Sequence, residues 1–330
     1  MAIGLVDGLQ AIINGLLQGG FFALASVGLS MIYGVQKILN IGHGAFIVLA
    51  AFITIQFSIT LTPVLHIDPL YSLVLDFLIM AGLGIVVYFA LIYKTENKGF
   101  EGPLLATFGL SIFMEYVIQN GLSIPFPNAH GKVSLVSLIP VIDPSYGNGA
   151  QAQHQTYSSS VLHLGQIYFF EPQLIAFVLA LAVIPLLEIF LTKTYYGKGI
   201  RATAQDWEAA EFTGIDVRKT RILSFAIGSG LAGLAGGIYA FTSSITATSA
   251  DISLLPIILA IIILGGIGSV IGTLVAGLVV GLVINVSELV ALQVLTQYHF
   301  PSDFGTLITY LIFLVVLMAK PTGLFGKSIR

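Results

Sequence analysis

Residues Gly197–Gly214 read GKGIRATAQDWEAAEFTG, a polar stretch set between strongly apolar ones. It holds the sole tryptophan, Trp207, and lies beside the densest run of positive charge, Arg218, Lys219 and Arg221. Its local signals spell a short helix. The Asp206 carboxylate is a good N-cap for the free N–H groups of a first turn, and Glu208 puts negative charge where the helix dipole favours it. Gly214 can adopt the left-handed conformation that ends a helix. Asp216 reads as the cap of a second helix, which starts near Arg218 and Lys219 and continues into an apolar span. A short self-capped helix between two membrane spans suits docking better than catalysis. The alternative reading is an ordinary cytoplasmic loop.

The rest of the chain makes the membrane setting explicit. Of its 330 residues, 56% are hydrophobic and 9% charged, against about 25% charged in ordinary soluble domains. The length accommodates several spans of about 20 residues. There are no cysteines, which excludes disulfides and thiolate metal sites. The net charge of -3 is less informative than its distribution. The N-terminus lacks a basic signal-peptide region, the first Lys or Arg being Lys37, so the first apolar segment is expected to be a retained span.

Apolar runs fall at 8–34, 43–60, 70–93, 103–124, 172–192, 221–242, 254–272, 273–295 and 304–319. Gly265-Gly266-Ile267-Gly268 is all that divides the seventh from the eighth, so these are either two full spans or broken, re-entrant helices. The expected fold is all-α, a polytopic integral membrane helical bundle of eight or nine transmembrane helices. With the N-terminus outside and the C-terminus cytoplasmic, twelve of the thirteen basic residues lie on the cytoplasmic side and only Lys132 lies outside, as the positive-inside rule requires. That orientation needs an odd number of spans, hence nine if every run crosses. The whole chain, 1–330, is expected to be a single domain. It carries an extracytoplasmic loop at 125–171, rich in Ser, Gly, Asn, Gln and Pro, and a cytoplasmic loop at 193–220.

Polar residues inside apolar runs are the candidates for a path or for packing. Thr107, Ser111, Glu115, Gln119 and Ser123 recur every four residues, near one helical face. A carboxylate in mid-bilayer is costly, so Glu115 should face the bundle interior or a wet cavity. The face can line a path, pack internally or contact another subunit. Gln10, Asn14 and Gln18 form a similar stripe, and Asn285 with Glu288 a smaller one. Asp76 and Glu188 lie nearer span ends, where water can reach them. Gly42 and Gly44 flank His43 just after Asn40, a pattern that suggests a non-ideal backbone bringing polar groups into the bundle. No second His stands at ligand spacing, so a zinc site is not expected; no other metal and no cofactor is expected either. Gly15/Gly19, Gly233/Gly237, Gly268/Gly272 and Gly277/Gly281 are GxxxG pairs that let helices approach closely in lipid.

Glu208-Ala209-Ala210 and Gly214 together resemble the EAA---G coupling motif of bacterial ABC-importer permeases. The surrounding 197–206 stretch is similar to one subgroup, the branched-chain amino-acid permeases. Gly28-Leu29-Ser30-Met31-Ile32-Tyr33-Gly34-Val35 and Asn40-Ile41-Gly42-His43-Gly44 resemble that family's GL-LIYGV and INFAHGE stretches, with Ala45 where the family carries an acidic residue. Leu264–Gly272 and Lys320–Gly326 resemble LGG-GS--G and RPTGLFG, with Lys320 in place of Arg. Beyond Gly214, Ser224 and Ala226-Ile227 replace the generic motif's Ile and Leu-Pro. The resemblance runs in order along nearly the whole chain apart from the external loop.

That resemblance implies a permease subunit in a bacterial inner (plasma) membrane, moving Leu, Ile or Val by ATP-driven alternating access. It implies a second homologous permease, two cytoplasmic ABC ATPases and a periplasmic or extracellular solute-binding protein as partners. Asp206, Glu208, Ala209, Ala210 and Gly214 would couple to an ATPase, and Asn40, His43, Thr107, Ser111 and Glu115 would be candidates for the substrate path. Urea, short amides or other amino acids are the rival substrates, and a secondary transporter independent of ATP is the rival mechanism. No catalytic constellation is present: HExxH and GxSxG are missing, and Gly323–Ser328 only imitates the tail of a phosphate-binding loop. Nothing points to nucleic acid, and the natural surroundings are lipid.

Overall fold

A computed structural model describes residues 4–60, 68–99, 101–120, 122–127, 133–139, 161–243, 245, 254–294, 304–319 and 323–325. The first helix, α1, spans Leu5–Gln36 and ends where Lys37 takes a left-handed conformation, its N–H donating to Tyr33 O. Helix α2 spans His43–Thr60. Helix α3 covers Ser72–Val87 and runs on through a π-helical turn at Tyr88–Ile92 and an α turn at Tyr93–Thr95, and a 3-10 turn at Glu96–Lys98 follows. Helix α4 is Glu101–Asn120. Two antiparallel hairpins come next, β1 (Leu122–Pro127) with β2 (Val133–Ile139), and β3 (Val161–Leu164) with β4 (Ile167–Phe170). The remaining helices are α5 (Glu171–Lys193), α6 (Tyr195–Gln205), α7 (Trp207–Phe212), α8 (Val217–Thr242), α9 (Leu255–Gly265), α10 (Val270–Val294) and α11 (Phe304–Ala319).

Among the described residues, six helical segments are long and apolar enough to cross a membrane, and three shorter apolar helices accompany them. The chain is therefore mostly helical and polytopic. The apolar runs coincide with helices, except that α10 begins at Val270, inside the run read as 254–272, and two further sequence expectations need correction. An all-helical chain overlooks the two hairpins. The stripe from Thr107 to Ser123 outruns its helix, because α4 stops at Asn120 and Ser123 lies in β1. Gln119 falls on side chains outside the described set.

Helices α1 and α8 form the middle of the bundle. Helix α1 packs chiefly along α10 and also against α8, α5 and α9, while α8 is clasped by α3, α2 and α1. The α1–α10 seam is built from two of the glycine pairs. A Cβ at Gly15 would sit 2.8 Å from Leu282 Cα, one at Gly19 2.7 Å from Leu278 Cα, and one at Gly277 2.7 Å from Ala23 Cα. Where lipid replaces water, such close backbone approach supplies the dispersion contacts that hydrophobic collapse cannot. The polar stripes act on the same seam: Asn285 Nδ2 donates to Gln18 Oε1 at 2.5 Å. Further out along α1, Gln10 receives the Tyr168 N–H and donates to its carbonyl, at 3.0 and 2.8 Å, fastening the β3–β4 hairpin to the helix.

The glycine segment between α9 and α10 is a tight turn, with Gly266 and Gly268 at φ +93° and +80°. Gly272 lies against Gly265, Ser269 Oγ caps α10 by accepting from Gly272 N, and Gly268 meets Gly34 of α1. The described helix before the turn has 11 residues, which at 1.5 Å each cover about half the bilayer core. Leu324 N donates to Leu264 O at 2.7 Å, and Gly323 lies against Ile263 O and Gly266, so Gly323–Leu324 docks on the end of α9.

Candidate functional site

The 197–214 stretch forms two helices rather than one. Thr194 caps α6, its Oγ1 accepting from Gly197 N at 3.0 Å, and Gly197 rests directly on the Phe190 carbonyl. Helix α6 then folds back onto α8. A Cβ at Gly199 would already stand 3.2 Å from Thr220, and the Thr203 and Thr220 hydroxyls lie 2.9 Å apart in a buried pair. Extended backbone at Asp206 breaks the chain, and Asp206 Oδ1 caps α7 by accepting from Ala209 N at 3.0 Å. At the other end Gly214 has φ +84°, and Ile215 N reaches back to Ala210 O at 3.1 Å. Asp216 Oδ1 then caps α8 by accepting from Lys219 N at 3.0 Å. These are the three cap positions the sequence indicates.

The result is a rigidly framed knob. Asp206, Glu208, Ala209, Glu211 and Gly214 are exposed, and Phe212 is 90% exposed, whereas Ala210 points inward and is buried. Tyr195, Tyr196 and Trp207 are exposed beside it. Ala210 is thus the foot of α7, and Glu208, Ala209 and Phe212 form its outer face.

Of the other candidate residues, Asn40, His43 and Thr107 meet at the junction of α1, α2 and α4, while Ser111 and Glu115 follow one and two turns further along α4. The Ile41 N–H donates to Thr107 Oγ1 at 3.3 Å, and a Cβ at Gly42 would lie 3.1 Å from Thr107 O and 3.3 Å from Asn40 Oδ1. His43 opens α2 with no exposure, its Nε2 lying 3.0 Å from the Ala25 carbonyl, which identifies that nitrogen as the donor. Gly28 makes this possible, since a Cβ there would press on Gly228 O and reach 3.3 Å from His43 Cε1. Asn40, Thr107 and Ser111 are buried and Glu115 is half-buried. Both side-chain polar atoms of Asn40, and Nδ1 of His43, have no hydrogen-bond partner among the described residues. Buried unmet groups of this kind are uncommon and costly.

Sequence reasoning misplaced Asp76. Read as a hydrated group near a span end, it is fully buried among α2, α3 and α8. Thr54 Oγ1 donates to its Oδ2 at 2.5 Å. The GxxxG pair Gly233/Gly237 opens the space, with Gly233 against the Asp76 carbonyl and a Cβ at Gly237 only 2.7 Å from Oδ2. Facing an acidic residue with a glycine pair on another span was the available signal. Glu188, by contrast, is partly exposed and lies 3.7 Å from Arg201.

Comparison with known proteins places the chain in a family. The model described as branched-chain amino acid transport system / permease component matches residues 11–317. The high-affinity branched-chain amino acid permease BraD of Pseudomonas aeruginosa is 26% identical over 329 residues, covering 97% of this chain and 96% of that protein. LivH of Escherichia coli K12 is 24% identical over 328 residues, with the same coverages. A shorter match, 32% identical over 94 residues and 28% of this chain, is to the nucleoside ABC transporter permease NupB of Lactococcus lactis. No solved structure gives a significant match. These relatives are permease components rather than enzymes, and the chain is a multi-pass inner-membrane protein of that kind. The chain belongs to the branched-chain amino acid transport system permease family.

Proposed function

We propose that this chain is the translocating subunit of a binding-protein-dependent ABC importer for branched-chain amino acids, working by ATP-driven alternating access. The observation that carries the reading is α7: a short helix capped at both ends, exposed on its outer face and joined directly to the long central helix α8. A helix so framed transmits a push instead of absorbing it. The 193–220 loop is cytoplasmic in this reading, residues 1–330 form one permease domain with nine spans, and 125–171 is the external loop. Glu208 and Ala209 meet a groove on the ATPase, Ala210 seats α7 on its own bundle, and Asp206 and Gly214 fix its ends. A second homologous permease, two ATPases and a solute-binding protein complete the assembly.

The path runs beside Asn40, His43, Thr107, Ser111 and Glu115. The unmet polar atoms of Asn40 and His43 support this assignment, because a buried polar group without a partner is costly to keep and calls for a reason such as a functional role. Branched-chain amino acids are favoured over rival substrates by the two relatives that align along nearly the whole chain. The partial match to a nucleoside permease keeps nucleosides as the second reading.

Affinity purification of the tagged protein in mild detergent is the test. Recovery of a second permease and ATPase subunits supports the importer. Recovery of the chain alone, together with ATP-independent leucine flux in vesicles, would replace it with a secondary transporter.

A further inference from the structure

Three segments far apart in sequence meet on one residue, Arg221, in the first turns of α8. Its Nη1 lies 3.1 Å from Glu96 Oε2, in the 3-10 turn that follows α3. Its guanidinium stands 5.6 Å from the centre of the Trp207 ring, the first residue of α7. Its carbonyl accepts from Gln36 Nε2 at 3.1 Å, at the last residue of α1. The ion pair is well shielded, with side-chain exposures of 21% for Arg221 and 15% for Glu96. One turn earlier, Arg218 lies 4.4 Å from the Tyr93 ring centre and 5.5 Å from that of Phe89. Both rings belong to the stretch where α3 changes to π-helical and back. Such π-helical turns inside α-helices are frequent at functional sites.

We propose that Arg221 is a positioning residue whose guanidinium conveys displacement of α7 to α3, while its backbone carbonyl ties the same turn of α8 to α1, so that these spans move together when the knob is pushed. The proposal rests on the importer reading of α7 and adds the route from knob to spans. The chemistry suits the task. Trp207 offers a flat face that only a planar cation can stack on, and Glu96 holds the same guanidinium from the side, so motion of the indole reaches the carboxylate through one rigid group. Helix α7 packs on α6 and touches α8, with Ala210 as its buried foot, while Glu208, Ala209, Glu211 and Phe212 face outward. The frame of α7 passes a push to α8, and the Arg221 side chain is what extends it to α3.

The experiment uses the whole importer, with its ATPases and binding protein, in lipid vesicles, measuring L-leucine uptake and ATP hydrolysis on the same sample. The variants are Arg221→Lys, which keeps the charge but not the plane, Glu96→Gln, Trp207→Leu, and the double variant Glu96→Gln/Trp207→Leu. Each single variant should retain its ATPases on purification yet move about fivefold less leucine per ATP, the lower end of typical coupling strengths. The double variant should be no worse than the singles, because both substitutions act through Arg221. An unchanged leucine-to-ATP ratio, or losses that multiply in the double variant, would overturn the relay while leaving the importer intact. Failure of all variants to accumulate would mark the cluster as a folding staple and also overturn it. Absence of ATPases from the wild-type complex would overturn the importer reading, and the relay with it.

Discussion

The Thr54 hydroxyl reaches across from α2 to donate to Asp76 Oδ2 of α3 at 2.5 Å, with Gly237 of α8 lying against both side chains. Three helices thus close over one carboxyl group, and the missing side chain at 237 is what lets them. A methyl at Gly237 would lie 2.5 Å from Leu73 Cδ2 and 2.7 Å from the carboxylate oxygen. Gly237→Ala should therefore destabilise the protein by about 1–3 kcal/mol, the usual cost of overpacking. Thr54→Val removes the donor and keeps the shape, and should cost about 1 kcal/mol. Melting of the detergent-solubilised protein checks both. Equal stability of Gly237→Ala and wild type would show that the helices can part there without penalty.

Glycines on the two sides of the bundle should respond oppositely to the same substitution. At Gly28 the added methyl meets Gly228 O on α8 and His43 on α2, whereas at Gly109 of α4 there is nothing within 4 Å. Gly28→Ala should lower the melting temperature. Gly109→Ala should leave it unchanged or raise it, since alanine is favoured over glycine within a helix by up to about 1 kcal/mol. A matching fall in both would mean that Gly109 is covered by a partner in the sample measured.

What could be read from the sequence was what depends on neighbours in the chain. The Asp206, Gly214 and Asp216 caps are local chemistry, written within a few residues, and the helices end where those residues stand. The apolar runs were equally plain. What escaped depends on partners distant in sequence. Asp76 is dry because Gly233 and Gly237, on a helix begun over a hundred residues later, let α8 close on it. The four-residue repeat from Thr107 carried no sign that α4 ends at Asn120, because periodicity does not stop a helix and the strand pairing of β1 with β2 does. In the candidate path, the sequence marked Asn40, His43 and Thr107 separately. Their meeting required the turn at Ile41–Gly42 and the contact of α2 with α4.

Asp216 gives a pH dependence with a definite sign. The hydrogen bond from the Lys219 N–H, aided by the Lys219 side chain at 3.0 Å, holds its carboxyl below the usual carboxylate value. A group whose folded value is depressed stabilises above its unfolded value and loses that contribution as pH falls through the folded one. The group is exposed, so the effect is modest and its ion-pair part is screened by salt. Between about pH 5 and about pH 3, across the carboxylate range, wild type should lose more thermal stability than Asp216→Asn. Asparagine caps the helix without titrating. Parallel acid limbs for the two proteins would remove Asp216 from the account.

The ends of α7 separate coupling from folding. Gly214 has φ +84° with open space around it, so Gly214→Ala meets no neighbour but must hold an L-residue in the left-handed region, at about 1–2 kcal/mol. Asp206→Ala removes the α7 cap, at about 1 kcal/mol. Both costs fall on a six-residue helix at the edge of the structure, so the variants should insert normally and the bundle should melt close to the wild-type temperature. If α7 is the element an ATPase pushes, leucine uptake and substrate-stimulated ATP hydrolysis should nevertheless fall together. Gly214→Trp, with an added bulky side chain in the same strained position, should fall further than Gly214→Ala. Asp206→Asn, which keeps a capping oxygen, should stay near wild type and so tie the loss to the frame of the helix rather than to its charge. Full uptake in Gly214→Trp would show that the rigidity of α7 is not what couples it, and the knob would then be an ordinary loop with well-made caps.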